Sequence, residues 1–496
     1  MPAISDEPER MDRDLLLLMG VLLVGAAAAL LDTTIVIVAI DDLAAAFGTS
    51  VATAQWATTG YLLAMAAAIP MMGWLTDRWG ASRVWLTTLW LFLLGSVLCA
   101  AAWSIESLIV FRVVQGLGGG LVLPLVQAIL ARAAGPRRIG RAMGLIGIPG
   151  QLAPILGPVL GGVILDSLGW RWIFLVNVPV CLAALLLASR HLRAAERRDG
   201  ARLDLPGALL LVPAVVAILA GLSATSGWGT APARPIVLLT GGAVLLAGFA
   251  LHALRAGDRA LIDLRLLRHR SFSAATALMF LSGACLYGPM LLLPLFYQQA
   301  RGLTATEAGL LLAPQGLGMM ASLWASGRSV DQAGPRVVAV AGVFLAGAGV
   351  AVFVVAAAAP VLVLSAGLVA LGAGLGAIGV AVWATSYRDV DPAAIPRATS
   401  LLNVVQRIGA SFGTVVIALI LHHRLGAAGA AGAAGAVDTA TDHSAVARAF
   451  AHTFAWALGF VAATLPVVLL LPLKPPRPQT SSDTPNPASR SMTCEP

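Results

Sequence analysis

Lysine is nearly absent from this chain. Of its 32 basic residues only Lys474 is a lysine, and the rest are arginines. No Gly-x-x-x-x-Gly-Lys-[Ser/Thr] phosphate loop can therefore be written, which excludes an ATP-driven pump of that type. Charge of either sign is also scarce, at 11% of residues against 58% hydrophobic, and that excludes a soluble globular protein of 496 residues. The four cysteines, Cys99, Cys181, Cys285 and Cys494, fall in three separate apolar stretches and the tail, so they provide neither a disulfide framework nor metal-ligand spacing. No cluster of His, Cys and acidic residues suggests a catalytic centre, so an enzyme is not expected and no cofactor or metal is implied.

Long apolar runs are what the chain does contain. Crossing about 30 Å of hydrocarbon takes roughly 20 helical residues. Runs of that kind recur at 15–40, 51–73, 84–103, 105–130, 141–164, 171–190, 206–224, 234–254, 271–297, 305–327, 336–356, 360–385, 396–421 and 448–473. The expected fold is therefore an all-α integral membrane protein with fourteen spans. A barrel would instead need short alternating strands. Met1 to Asp14 is polar and acidic and lacks a cleavage site after a short apolar core, so no removable signal peptide is expected.

The formal charge of +8 is not the signature of a nucleic-acid partner, because the basic residues sort by membrane side. With the N-terminus inside, 25 of the 32 fall in cytoplasmic segments, five lie opposite, and Arg112 and Arg407 lie within spans. This positive-inside pattern predicts a multi-pass protein of the bacterial cytoplasmic membrane with both termini cytoplasmic.

An internal repeat organises the chain. Gly73-Trp-Leu-Thr-Asp77-Arg-Trp-Gly80-Ala-Ser-Arg83 is echoed by Gly327-Arg-Ser-Val-Asp331-Gln-Ala-Gly334-Pro-Arg336, a shift of 254 between the aspartates. Arg141 and Arg397 are related by a shift of 256, as are Gly157 and Gly413. Two six-span halves in parallel repetition are expected, at 15–190 and 271–473. They are joined by a linker, 191–270, that holds two extra spans. The ends, 1–14 and 474–496, lie outside the halves, and the Pro/Ser/Thr-rich tail is expected to be disordered.

Asp32 is the one acidic residue deep within an apolar run. A charge there costs about 2.5–3.5 kcal/mol on insertion scales and marks a functional position. Desolvation favours the protonated acid and a nearby guanidinium favours the carboxylate, so Asp32 is the candidate proton carrier. Asp77 can favour a helix N-terminus and pair with Arg83, while Gly73 and Gly80 permit tight turns. In Gly157-Pro158-x-x-Gly161-Gly162 the proline bends the helix and the glycines permit close packing. Tyr61, Asn177, Tyr287, Gln315 and Arg407 are candidates for lining a substrate cavity.

Several of these stretches resemble signatures of the major facilitator superfamily. Gly73 to Arg83 is similar to its loop motif, and Leu108-x-x-x-Arg112-x-x-Gln115-Gly116 to a motif of its proton-driven members. Gly157 to Gly162 looks like the antiporter motif of its drug:proton exporters. Leu31-Asp32-Thr33-Thr34 and Trp170 to Pro179 resemble stretches of the fourteen-span subgroup, although Ile37 stands where Asn is usual and Asp41 where Pro is usual. The resemblance implies two six-helix bundles around a central cavity, with Arg112 near Asp32 and a conformational gate at Gly73, Asp77, Gly80, Arg83, Asp331 and Arg336. It further implies proton-coupled export of amphipathic, cationic or zwitterionic toxic compounds by a monomer in the lipid bilayer, driven by the proton gradient. The alternative is a dedicated exporter of a single metabolite, such as a self-made antibiotic.

Overall fold

A computed structural model describes residues 12–192, 203–223, 233–356, 359–388, 390–434 and 439–473. The described residues are all helical or turn, and thirteen helices are long and apolar enough to cross a membrane. In the N-terminal half these are α1 (Arg13–Val38), α2 (Val51–Trp79), α3 (Ala81–Ala100), α4 (Ile105–Gly135) and, after α5, α6 (Arg171–His191). Two central helices follow, α7 (Leu205–Leu222) and α8 (Ala233–Ala256). The C-terminal half holds α9 (Arg270–Ala300), α10 (Thr306–Ala333), α11 (Pro335–Val355), α12 (Val361–Ser386), α13 (Ile395–Gly426) and α14 (Ala445–Val468).

The span expected at 141–164 belongs to α5, residues 136–168. It continues directly from α4 through a kink at Gly135, whose φ of 66° and ψ of 175° interrupt the helical backbone. Glycine reaches that φ without the steric cost other residues meet. The side chains at 154, 155 and 158 lie outside the described residues, and the apolar stretch described in α5 is Val159–Leu168.

Helices form here because lipid offers the backbone no hydrogen bonds, so each span must satisfy its own N–H and C=O groups. Polar residues mark the ends. At the start of α4, Ser104 Oγ accepts from the Ser107 N–H at 3.2 Å while Ser107 Oγ accepts from the Ser104 N–H at 3.0 Å. Before α10, the Thr304 N–H donates to Glu307 Oε2 at 2.9 Å in the same reciprocal manner. Such caps satisfy otherwise orphaned donors. The internal repeat is visible in the backbone: Gly80 ends α2 at φ 81°, ψ 144°, and Gly334 ends α10 at φ 89°, ψ 157°.

Within each half, small residues bring helices into backbone contact. A Cβ on Gly95 of α3 would fall 2.5 Å from Gln115 Cα of α4, and one on Gly409 of α13 would overlap the Phe280 carbonyl oxygen of α9. Of the two central helices, α7 packs against α2 from one half and α13 from the other. Asp204, just before α7, accepts from the Gly207 and Leu261 N–H groups at 3.0 and 2.9 Å and sits 2.7 Å from His252 Nε2 of α8. It thereby ties the linker to its own helices.

Gly409→Ala is expected to push α13 off α9 and lower stability by about 1–3 kcal/mol. Size-exclusion recovery of the intact protein after graded heating measures this. A melting temperature equal to wild type would contradict the packing.

Candidate functional site

Asp32 of α1 is 1% exposed and Arg112 of α4 is fully buried. Arg112 Nη1 donates to Asp32 Oδ2 at 2.6 Å. The other carboxylate oxygen, Oδ1, accepts from Gln115 Nε2 of α4 and Asn177 Nδ2 of α6, each at 3.0 Å. Ser96 Oγ of α3 accepts from the same two amides, at 2.7 and 3.1 Å. Arg112 also donates to Gln115 Oε1 at 2.7 Å and, through Nε, to the Ala57 carbonyl at 3.2 Å. Its guanidinium lies 4.0 Å above the centre of the Tyr61 ring of α2, a cation–π contact that strengthens when desolvated. Five helices thus converge on one carboxylate.

Removing one member of such a buried pair costs about 3–5 kcal/mol, because the other charge is left uncompensated. Polar capacity is nevertheless left over: Arg112 Nη2 and the Tyr61 hydroxyl have no hydrogen-bond partner among the described residues. Toward the α1 C-terminus the site is sealed by a separate apolar cluster that includes Ile35, Val36, Leu43, Ala57, Leu108 and Phe174.

The glycine motif of α5 lies against α1 beside this site. A Cβ on Gly157 would collide with the Thr34 hydroxyl, and one on Gly161 would sit 3.4 Å from Ile35 Cγ2. Thr34 Oγ1 donates to the Ala153 carbonyl of α5 at 3.1 Å. Gly162 faces open space, and the side chain of Pro158 lies outside the described residues.

At the arginine-rich end the two halves are joined crosswise. Arg397 of α13 donates to Asp77 Oδ2 of α2 through Nη2 at 2.7 Å and through Nε at 3.1 Å. Reciprocally, Arg141 Nε of α5 lies 3.3 Å from Asp331 Oδ2 of α10. Each aspartate of the repeated loop motif therefore meets the arginine of the opposite half. Gly73 makes room for this: its Cβ would fall 2.6 Å from Arg397 Cγ, and a Cβ on Gly140 would fall 2.7 Å from Asp331 Oδ1. The seam continues through Ser400 Oγ to the Ile69 carbonyl at 2.8 Å and Asn403 Nδ2 to Gln127 Oε1 at 2.9 Å.

Two expectations are corrected. Asp77 does not pair with Arg83, which is exposed and forms no ion pair among the described residues; Arg397 lies closer to the carboxylate and takes it across the interface. Arg336 is half-buried and forms no ion pair among the described residues. Tyr61 and Asn177 do not line an open cavity. They are 0% and 2% exposed and belong to the Asp32 cluster. Of the other cavity candidates, Gln315 and Arg407 are half-buried and Tyr287 is exposed.

Residues 22–414 match the model of the Major Facilitator Superfamily. The chain belongs to that family. It is 36% identical over 421 residues to the Multidrug resistance protein B homolog of Mycobacterium tuberculosis (strain CDC 1551 / Oshkosh), covering 84% of this chain and 78% of the relative. The fold is similar to that of the human organic anion transporter MFSD10, with a TM-score of 0.61, 17% identity and coverage of 92% and 100%. It is also similar to a bacterial homologue of the iron transporter ferroportin in an outward-facing state, with a TM-score of 0.62, 13% identity and coverage of 92% and 99%. At these identities the two structures show the fold alone.

As a member of the Major Facilitator Superfamily, the chain is a multi-pass membrane carrier that works by alternating access, not an enzyme. Sequence reasoning missed Ser96, which holds the two amides that donate to Asp32, and gave Gln115 no contact with Asp32. A signal existed for Gln115, which stands three residues after Arg112 and so on the same helix face. Arg141 and Arg397 had already been matched by the repeat, but which aspartate each would meet depended on how the halves dock.

In this facilitator, Asp77→Asn is expected to loosen the arginine-rich end and raise maleimide labelling of a cysteine placed at Asn403 on the order of tenfold. The comparison uses a background lacking the native cysteines. A charge exchange, Asp77→Arg with Arg397→Asp, should restore slow labelling. Equal rates in all three proteins would show that the pair does not hold this end shut.

Proposed function

We infer that this protein is a proton-coupled antiporter of the fourteen-span drug-exporter type, carrying amphipathic toxic compounds out across the bacterial cytoplasmic membrane. The observation that supports this most is the buried Asp32–Arg112 pair in the N-terminal half. The glycine motif on α5 and the name of the mycobacterial relative favour the same reading. In this reading the arginine-rich end is cytoplasmic, the halves 15–190 and 271–473 are the moving bodies, and the crosswise ion pairs keep the cytoplasmic side shut.

Coupling follows from the chemistry of the pair. When a proton neutralises Asp32, Arg112 loses its counter-charge in a fully buried site, an imbalance of about 3–5 kcal/mol. Arg112 still has the Gln115 and Ala57 oxygens and the Tyr61 ring as partners, so relief comes by shifting the guanidinium relative to α1. Movement of α1 is felt by α5 through Thr34 and Gly157, and α5 carries Arg141 of the gate. Proton arrival can thus bias the gate over the length of one helix, the kind of differential interaction that alternating access requires.

The test uses the full chain in proteoliposomes with an imposed pH gradient and a panel of amphipathic fluorescent compounds. Wild type should move at least one compound against its gradient, in a direction that reverses when the pH gradient is reversed. Asp32→Asn should elute as a folded protein and lose that movement. Gradient-driven exchange that survives in Asp32→Asn would end the proposal.

A further inference from the structure

The seam between the halves can be followed along α13. Arg397, Ser400 and Asn403 share one face of this helix and each finds a partner in the N-terminal half: Asp77, the Ile69 carbonyl and Gln127. Arg407 continues the same face, seven residues beyond Ser400. On the opposing α2, Tyr61 stands eight residues before Ile69, so two helical turns past the Ser400 contact the two residues come to face one another. Among the described residues, Arg407 is within electrostatic reach of Tyr61 and Tyr287 and of no carboxylate. Unlike the three residues before it, it makes no hydrogen bond or ion pair among the described residues. It is half-buried.

An arginine in the middle of a span costs about 2.5–3.5 kcal/mol unless it meets a counter-charge or a wet cavity. The only acidic side chain within the spans away from their ends is Asp32, among the described residues, and it is closed off. Its Oδ2 holds Arg112 and its Oδ1 holds two amides. Among the described residues this stretch of the seam therefore presents a guanidinium without a hydrogen-bond or ion-pair partner, the neighbouring ring of Tyr287, and no carboxylate outside the closed Asp32 cluster.

We propose that Arg407 is the anchor for an acidic group on the transported compound, and that the cargo is an anionic or acid-bearing aromatic amphipath. This revises the expectation of a cationic cargo. A carboxylate or sulfonate would accept charge-assisted hydrogen bonds from the guanidinium, with its ring against Tyr287. Arg407 belongs to the C-terminal half and Asp32 to the N-terminal half, so cargo and proton occupy separate sites and communicate through movement of the halves. The inference rests on the transport reading only in supposing that cargo reaches Arg407 between the two halves.

The test measures binding without any gradient. Naphthalene-2-sulfonate and its cationic counterpart, 2-naphthylmethylammonium, are titrated calorimetrically into the full chain in nanodiscs, with empty nanodiscs as reference. Wild type should bind the sulfonate more tightly than the ammonium. Arg407→Gln should weaken the sulfonate by about tenfold or more and leave the ammonium unweakened, while Arg407→Lys keeps most of the sulfonate affinity. Should Arg407→Gln fail to fold, Ser411→Asp sets a carboxylate one turn along the helix and should weaken the sulfonate likewise. Wild type that binds no sulfonate, or binds the ammonium at least as tightly, overturns the proposal, as does sulfonate affinity unchanged in these variants. Since no pH gradient is present, failure of proton coupling leaves this result intact. Gradient-driven export of cations without sulfonate binding would sink this proposal and spare the antiport reading.

Discussion

The ion pair between Asp32 and Arg112 is the constraint around which the N-terminal half is built. Two opposite charges are stable in a dry interior only if geometry is close and the leftover lone pairs are satisfied. That demand recruits Gln115, Asn177 and Ser96 from three helices and sets Tyr61 beneath the guanidinium. It also explains the close approach of α3 to α4, where Gly95 admits the backbone of Gln115. Moving any of these helices outward would leave a buried polar group without its partner.

The halves repeat in backbone but not in chemistry. Gly80 and Gly334 end corresponding helices with nearly the same φ and ψ, and the two loop-motif aspartates take corresponding arginines from the opposite halves. Yet the shift of 256 that relates the halves sets Gly288 opposite Asp32. The charged interior of the N-terminal half has a bound counter-ion built in, whereas Arg407 in the C-terminal half has none among the described residues. Among the described residues, one half is thus electrically closed and the other is not.

Between the Asp32 site and the crosswise ion pairs, α5 is the physical connection. One face of it accepts α1 at Gly157 and Gly161, and its other end supplies Arg141 to Asp331. A rigid helix with close contacts at both ends transmits displacement because packed interfaces do not deform continuously. The kink at Gly135 lets this helix follow α4 without a loop, so the buried pair at Arg112 and the inter-half ion pair at Arg141 lie on a single continuous stretch of chain.

Composition and periodic apolar runs alone determined that the chain is a helical membrane protein, because lipid leaves few other ways to satisfy a backbone. The repeat, the placing of Asp32 inside a span and its pairing with Arg112 were also legible, the first two from spacing and hydropathy and the third from resemblance. What only the tertiary structure decided was pairing across distance: Asn177 on Asp32 with Ser96 behind it, Arg397 rather than Arg83 on Asp77, and Arg407 left without a counter-charge among the described residues. Sequence spacing orders residues along one helix face, but which faces meet is set by how whole helices dock. A hydrogen bond of about 3 Å depends on that docking more than on any local pattern.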